Sequence, residues 1–229
     1  MRKTIIIFML GVLAQQVSQA QGIVYLSNLG QTSTGGTTVG SDSWLATQFI
    51  TGFNAGGYSL NSIQLAMADA VGDPGGFTAT LYTFGGSLAG AQYPGVSLGD
   101  LNGSVNPATG GLYTYTPTSD LILSPNTSYF IVLAAGTAVA AGAYEWSVET
   151  TSSDNFSSSD DWAGFVSFES SAGSSWKTIG GSYPNFIVPQ YAINATAIPE
   201  PGVLSLFGLG CVFLFGIFCR RRHQRIGSR

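Results

Sequence analysis

Cysteine is nearly absent from this 229-residue chain. Its two cysteines, Cys211 and Cys219, both lie in an apolar run near the C-terminus. Residues 21–198 therefore contain neither a disulfide framework nor a thiolate metal site. A segment of this length can bury enough apolar surface to fold as one domain without such cross-links.

Basic residues and histidine are also scarce between the chain ends. Residues 21–198 contain 11 acidic residues and one basic residue, Lys177, and the single histidine of the chain is His223. Nucleic acids and anionic membranes bind cationic patches, so neither is an expected partner of this segment. The lack of histidine there excludes a Ser-His-Asp triad, Cys-His chemistry and a His-ligated metal.

Sustained helical periodicity is missing as well, and short β-branched and aromatic runs recur between turn signals such as Tyr93-Pro94-Gly95. The pattern predicts an all-β fold, a two-sheet antiparallel sandwich or jelly roll. The predicted strands are 22–27, 45–51, 60–67, 77–84, 111–116, 128–134, 143–150, 163–168 and 187–197.

Alternation within these runs predicts which side chains are buried. Tyr144, Trp146 and Val148 are expected to face a core, whereas Glu145 and Glu149 are expected to face water. Residues 129–134 are apolar on both faces, which predicts a central strand.

The C-terminus combines a short motif, an apolar span and a basic cluster. Pro199, Glu200 and Pro201 precede the uncharged run 203–219. As a helix this run would reach about 25 Å, just under the roughly 30 Å of bilayer hydrocarbon. The basic residues that follow are Arg220, Arg221, Arg222 and Arg225. They would stay on the cytoplasmic side and leave the upstream segment outside.

The span is either a plain single-pass anchor or part of a sorting tag that is cut. The order of proline-glutamate-proline, apolar span and arginine cluster resembles the PEP-CTERM signal of Gram-negative bacteria. That resemblance implies processing by the membrane enzyme exosortase. Residues 199–229 would then hold the protein in the inner membrane only transiently, through 203–219, before it reaches the outer surface or an extracellular matrix.

The N-terminus has the pattern of a secretory signal peptide. Arg2 and Lys3 form a positive region, residues 4–14 are apolar but too short to span a membrane, and small residues lead to Ala20. We expect signal peptidase to cleave after Ala20, so that residues 1–20 are removed and 21–198 are exported. An N-terminal membrane anchor is the alternative.

The exported segment also resembles a known class of surface domain. The aromatic stretches 43–49, 76–82, 113–117 and 123–133 are similar to those of the "choice-of-anchor" domains, particularly the type labelled R. The resemblance covers about 22–197. It implies a surface β-sandwich and brings no activity or catalytic residues.

Acidic residues provide the remaining candidate chemistry. Glu145 and Glu149 would lie about 13 Å apart on a strand, farther than the roughly 5–10 Å of glycosidase pairs. Asp161 beside Trp162 would suit a carboxylate-dependent hydrolase better, which is our third choice of function. We expect no catalytic residues and no enzyme.

Calcium is the one cofactor that the loops could hold, although we expect none. Asp154, Asp160 and Asp161 cluster in one loop with hard oxygen donors and no nearby base. Asp69, Gly72 and Asp73 form a smaller candidate. Solvated loop acids are the alternative reading of both clusters.

Carbohydrate binding is the leading alternative function. Trp44, Trp162 and Trp176 lie near predicted loops or strand starts, where indole rings could stack on sugars. Our principal expectation is an exported, non-catalytic protein of the cell surface or exopolysaccharide matrix, with signal peptidase and exosortase as processing partners.

Overall fold

The computed structural model describes residues 22–88, 91–151, 156–179 and 186–199. The predicted signal peptide, residues 200–229 with the predicted C-terminal helix, and Asp154 lie outside these ranges. Within them the chain forms 15 strands. The strands are β1 Ile23–Ser27, β2 Gly35–Val39, β3 Trp44–Ile50, β4 Tyr58–Gly72, β5 Thr78–Leu88, β6 Ala91–Asn102, β7 Gly111–Pro117, β8 Ile122–Leu123, β9 Ser128–Ala134, β10 Gly142–Thr151, β11 Ser157–Ser158, β12 Ala163–Ser170, β13 Trp176–Thr178, β14 Phe186–Pro189 and β15 Tyr191–Ala197.

The strands form one antiparallel sheet that curls on itself. Its path runs β11-β1-β15-β4-β7-β6-β5-β9-β3-β12-β13; β8 and β10 branch from β4, and β2 and β14 both pair with β10. Strands β6 and β7 meet through only two residue pairs, Leu101 with Pro117 and Asn102 with Thr116. This narrow connection separates a first half of the sheet around β4 from a second half around β9.

The predicted all-β antiparallel fold is confirmed; where the sequence predicted two sheets, the structure has one curled sheet whose two halves are joined at β6 and β7. No helix in the described ranges is long and apolar enough to cross a membrane.

The main core lies between the two halves. Trp162, just before β12, is 2% exposed and stacks between Tyr25 of β1 and Phe49 of β3. The ring centroids are 5.2 Å apart for Tyr25 and 5.8 Å apart for Phe49. The Tyr191 hydroxyl of β15 also donates to the Gln48 carbonyl of β3. These contacts hold one half of the sheet against the other.

Strand β9 supplies side chains to two separate clusters. Tyr129, Ile131 and Leu133 point into the main core, whereas Phe130 and Val132 belong to a second cluster on the opposite face. The strand lies between β5 and β3. The prediction of a central strand that is apolar on both faces is confirmed.

The alternation predicted for β10 is correct for its apolar residues and wrong for Glu149. Tyr144, Trp146 and Val148 are buried, and Glu145 is half-buried, but Glu149 is only 4% exposed. Its Oε1 accepts a hydrogen bond from Asn28 Nδ2 at 3.2 Å. The loop after β1 covers this end of β10. Such a contact depends on a distant part of the chain and is not visible in the alternation of one strand.

The bounds of several predicted strands also differ from the structure. Strand β6 includes the predicted turn Tyr93-Pro94-Gly95, and its pairing with β5 shifts register three times to accommodate these residues. The predicted strand 187–197 is two strands, because Gln190 interrupts it and β14 and β15 pair with different neighbours. The glycine-rich strand β2 was not predicted; it exists through its pairing with β10.

Candidate functional site

Two tryptophans lie in register on the outer face of the second half of the sheet. Trp44 begins β3 and Trp176 begins β13, and both are directly opposite Ser170 of the intervening β12. Directly paired residues point to the same face, so the three side chains form a row. Two strand spacings place the tryptophan Cα atoms about 10 Å apart. Both indoles are half-buried, which leaves part of each accessible.

Buried aromatic residues support this row from the adjacent positions. The Phe130 ring stacks with that of Phe84, with the ring centroids 6.4 Å apart, and meets Phe168 edge-on at a centroid distance of 5.7 Å. Phe130 and Phe168 are buried, and the half-buried Tyr82 packs beside them. We call this surface the Trp44 face, defined by Trp44, Tyr82, Phe130, Phe168 and Trp176.

The position of Trp44 is restricted by the turn between β12 and β13. An added Cβ at Gly173 would lie 2.8 Å from Trp44 Cζ3, so the backbone of this turn lies against the indole. Gly173 has a φ of 73°, a conformation that favours glycine. The Ser175 amide donates to Ser170 Oγ at 3.1 Å and ties the same turn to the row.

Charges near the Trp44 face are few and have partners. Asp100 accepts a hydrogen bond from the Thr80 hydroxyl at 2.6 Å. Lys177 forms an ion pair with Glu169 at 2.6 Å. These two residues alternate with Trp176 and Ser170 along their strands, so the ion pair is on the opposite face. The basic residue nearest the tryptophans therefore does not contribute a cation to the Trp44 face.

Trp162 is not an exposed stacking platform, although its position in the sequence suggested one. It is part of the main core, as its contacts with Tyr25 and Phe49 show. The combination of Asp161 with an accessible aromatic ring, which the hydrolase alternative would need, is therefore not formed. Of the three candidate tryptophans, the structure brings together Trp44 and Trp176.

Asp160 has a structural partner. Its carboxylate accepts a hydrogen bond from the Tyr58 hydroxyl. Burial, followed by this hydrogen bond, raises the pKa of Tyr58, so the phenol remains a donor. Asp160 and Asp161 both have left-handed backbone conformations, with φ of 56° and 57°.

The proposed metal ligands do not form a cluster in the described part of the chain. Within 22–88, 91–151, 156–179 and 186–199, no three His, Cys, Asp or Glu residues are grouped to hold a metal ion. Asp69 instead accepts a hydrogen bond from the Gly110 amide at 2.8 Å. The loop candidate also included Asp154, which the structure does not describe.

Hydrogen bonds fix the backbone at the end of the last described segment, 186–199. Strand β15 ends at Ala197, and the Ile198 amide donates to the Gly57 carbonyl at 3.0 Å. The Ile198 carbonyl accepts a hydrogen bond from Asn54 Nδ2 at 3.0 Å. Pro199 is exposed immediately afterwards. The fold therefore holds the backbone up to Ile198 and leaves Pro199 at the surface.

A family comparison covers the part of the chain that begins here. Residues 197–222 match the family described as the PEP-CTERM protein-sorting motif. The chain carries a PEP-CTERM sorting motif. No curated protein and no solved structure matches the chain. The resemblance of 22–197 to choice-of-anchor domains is thus not confirmed.

The motif indicates an exported, surface-directed protein that is sorted at its C-terminus. Its match begins at Ala197, the last residue of β15. The motif was predictable from the sequence because its residues are contiguous. The common face of Trp44 and Trp176 was not predictable, because the two residues are 132 positions apart and are brought together by their pairing with β12.

Proposed function

We propose that the chain delivers a non-catalytic β-domain to the outer cell surface or an exopolysaccharide matrix. Signal peptidase removes residues 1–20, the span 203–219 holds the chain in the inner membrane, and exosortase removes the C-terminal signal. The observation that carries the proposal is the sorting motif at 197–222, which starts at the last residue of β15.

The geometry at the boundary suits such processing. The Ile198 amide donates one hydrogen bond, its carbonyl accepts another, and Pro199 is exposed. A processing enzyme can therefore reach the motif without unfolding β15. A cut at 199–201 would leave β15 intact, because this strand ends at Ala197.

Two observations support a non-catalytic role. Residues 21–198 contain no histidine. Asp160 accepts a hydrogen bond from Tyr58, and Trp162 beside Asp161 is buried. The hydrolase alternative predicts a polysaccharide-cleaving activity that Asp161→Asn abolishes. Detection of such an activity would overturn the non-catalytic proposal.

The sorting proposal is tested by mass spectrometry of the protein recovered from the cell surface and medium. We expect an N-terminus near Gln21 and no peptide from 203–229. Replacement of Pro199, Glu200 and Pro201 by alanine should leave the unprocessed chain in the inner membrane. Gly30→Ala is the matched control, because an added Cβ at this site meets no atom within 4 Å. Recovery of intact 220–229 from mature surface protein would instead show a plain anchor.

A further inference from the structure

The Trp44 face is apolar where a sheet face turned away from the core is ordinarily polar. The main core of this domain is on the other side of β3, β9 and β12. Yet Trp44 and Trp176 remain partly accessible next to the buried Phe130 and Phe168, and Phe84, which stacks on Phe130, is 43% exposed. Accessible aromatic groups gathered on one face are typical of binding surfaces rather than of scattered surface residues.

The arrangement of this face suits a flat ligand with both apolar and polar edges. A pyranose ring presents C–H groups on its faces and hydroxyl groups around its rim, and indole rings combine a large apolar surface with a polar N–H. The two tryptophans are about 10 Å apart across three strands, so they could contact successive parts of one extended chain. Ser170 lies between them, and its hydroxyl already holds the adjacent turn in place.

Charge restricts which polysaccharide fits. Residues 21–198 carry 11 acidic residues and one basic residue. That basic residue, Lys177, is paired with Glu169 on the opposite face of the sheet. A polyanionic chain would meet net repulsion from the domain and no cation on the Trp44 face. The charge distribution therefore favours an uncharged polysaccharide.

We propose that the Trp44 face is a binding site for an uncharged polysaccharide, with Trp44 and Trp176 as its two stacking platforms. The proposal rests on the proposed function, since an exported domain is the one that meets extracellular polysaccharide. The turn at Gly173 lies against the Trp44 ring, and Phe130 and Phe168 pack beside the tryptophans on the same face. Because these side chains are already held in place, less conformational entropy is lost when a ligand binds.

The test is affinity electrophoresis of the protein as recovered from cells, in gels that contain dextran, mannan or hydroxyethylcellulose. Alginate serves as the anionic comparison. We expect at least one uncharged polysaccharide to retard the wild-type protein and alginate not to. The double variant Trp44→Ala/Trp176→Ala should bind about tenfold more weakly, because both stacking contacts are lost.

Two further variants separate loss of binding from loss of folding. Trp44→Phe/Trp176→Phe keeps an aromatic ring at each position and should retain intermediate binding with an unchanged melting temperature. Phe53→Ala removes a 62% exposed aromatic residue outside the Trp44 face and should bind like the wild type. If the alanine double variant fails to fold, the phenylalanine variant and acrylamide quenching of the wild-type tryptophans still decide. Bound polysaccharide should reduce quenching, since Trp146 and Trp162 are already buried.

Several results would overturn the inference. They are retardation by none of the uncharged polysaccharides, retardation by alginate alone, or undiminished binding by a folded alanine double variant. Self-association that the double variant abolishes, without glycan binding, would assign the face to a second copy of the chain. A correctly processed surface protein that binds no polysaccharide would overturn this inference and leave the proposed function intact.

Discussion

At the scale of single residues, Trp146 attaches β10 both to the core and to Gln190, the residue between β14 and β15. Its side chain is fully buried, and Nε1 donates to the Gln190 carbonyl at 3.0 Å. Gln190 interrupts β14 and β15, so this hydrogen bond holds the point where the chain changes strand. The Tyr191 ring lies 6.4 Å from the indole and completes the packing.

Trp146→Ala should therefore lower the free energy of unfolding by about 3–5 kcal/mol, through lost packing and the cavity left behind. Trp146→Phe should cost less, because it retains most of the apolar contact and loses chiefly the hydrogen bond to Gln190. Urea denaturation followed by circular dichroism measures both. A near-neutral alanine variant would contradict the burial of this face of β10.

Glu145 provides a pH-dependent test at the same scale. Burial raises the pKa of its carboxyl group, and its Oε2 lies close to Gly36 of β2. The folded state therefore binds the proton more tightly than the unfolded state. The contribution of this tighter proton binding to the free energy of unfolding is fully present below the unfolded pKa of about 4.3. It is lost as pH rises through the raised pKa of the folded state.

Glu145→Gln should consequently raise the melting temperature at neutral pH and change it little in acid, where the native carboxyl is already neutral. Asp120→Asn is the matched control, because it removes one negative charge from an exposed loop position. Melting curves from pH 3 to pH 8 measure both variants. An equal gain from Asp120→Asn would assign the effect to net charge instead of burial.

At the scale of structural elements, a close backbone contact connects the end of β3 to the loop after β11. An added Cβ at Gly52 would overlap the carbonyl oxygen of Asp160 and approach the Tyr58 hydroxyl at 2.7 Å. The left-handed conformations of Asp160 and Asp161 define the path of this loop. The contact lies next to Trp162 and thus next to the main core.

Gly52→Ala should destabilise the domain by about 1–3 kcal/mol, because a backbone oxygen must move to make room. Gly30→Ala should be close to neutral, since its added Cβ meets no atom within 4 Å. Thermal unfolding of both variants under the same conditions makes the comparison. Equal melting temperatures would show that the loop after β11 can shift freely.

Elements with strong local patterns were predictable, and those that depend on distant partners were not. Strand β9 was predicted with its observed bounds, 128–134, because its residues are apolar on both faces. Strand β2 is rich in glycine and threonine and has little signal of its own; it exists because β10 offers it a hydrogen-bonding edge. Strand β6 contains Pro94 and Gly95, which local rules assign to turns. Register shifts against β5 allow both residues inside the strand.

At the scale of the whole molecule, the excess of acidic residues raises the question of calcium. Residues 21–198 carry 11 acidic residues, and two of them, Asp160 and Asp161, lie in one exposed turn. A specific site would stabilise the folded state by about 2.7 kcal/mol at a hundredfold excess of calcium over its Kd. Solvated acids would respond only to ionic strength.

We expect millimolar calcium and sodium at matched ionic strength to give the same melting temperature. Asp160 supports this expectation, since its carboxylate already accepts the Tyr58 hydroxyl. Asp160→Asn/Asp161→Asn serves as the comparison and should respond to both salts as the wild type does. A shift specific to calcium that this double variant loses would establish a calcium site.

The sequence by itself determined the features that are contiguous along the chain: the sorting motif, the extreme charge distribution, the lack of cysteine before residue 199 and the all-β class. Each depends on neighbouring residues or on composition, so no fold is needed to read it. The tertiary structure alone decided that Trp162 is core, that Glu149 is buried and that Trp44 and Trp176 share a face. These outcomes depend on which strands pair and on which loops cover them, and such long-range contacts arise only when the sheet curls and closes its core.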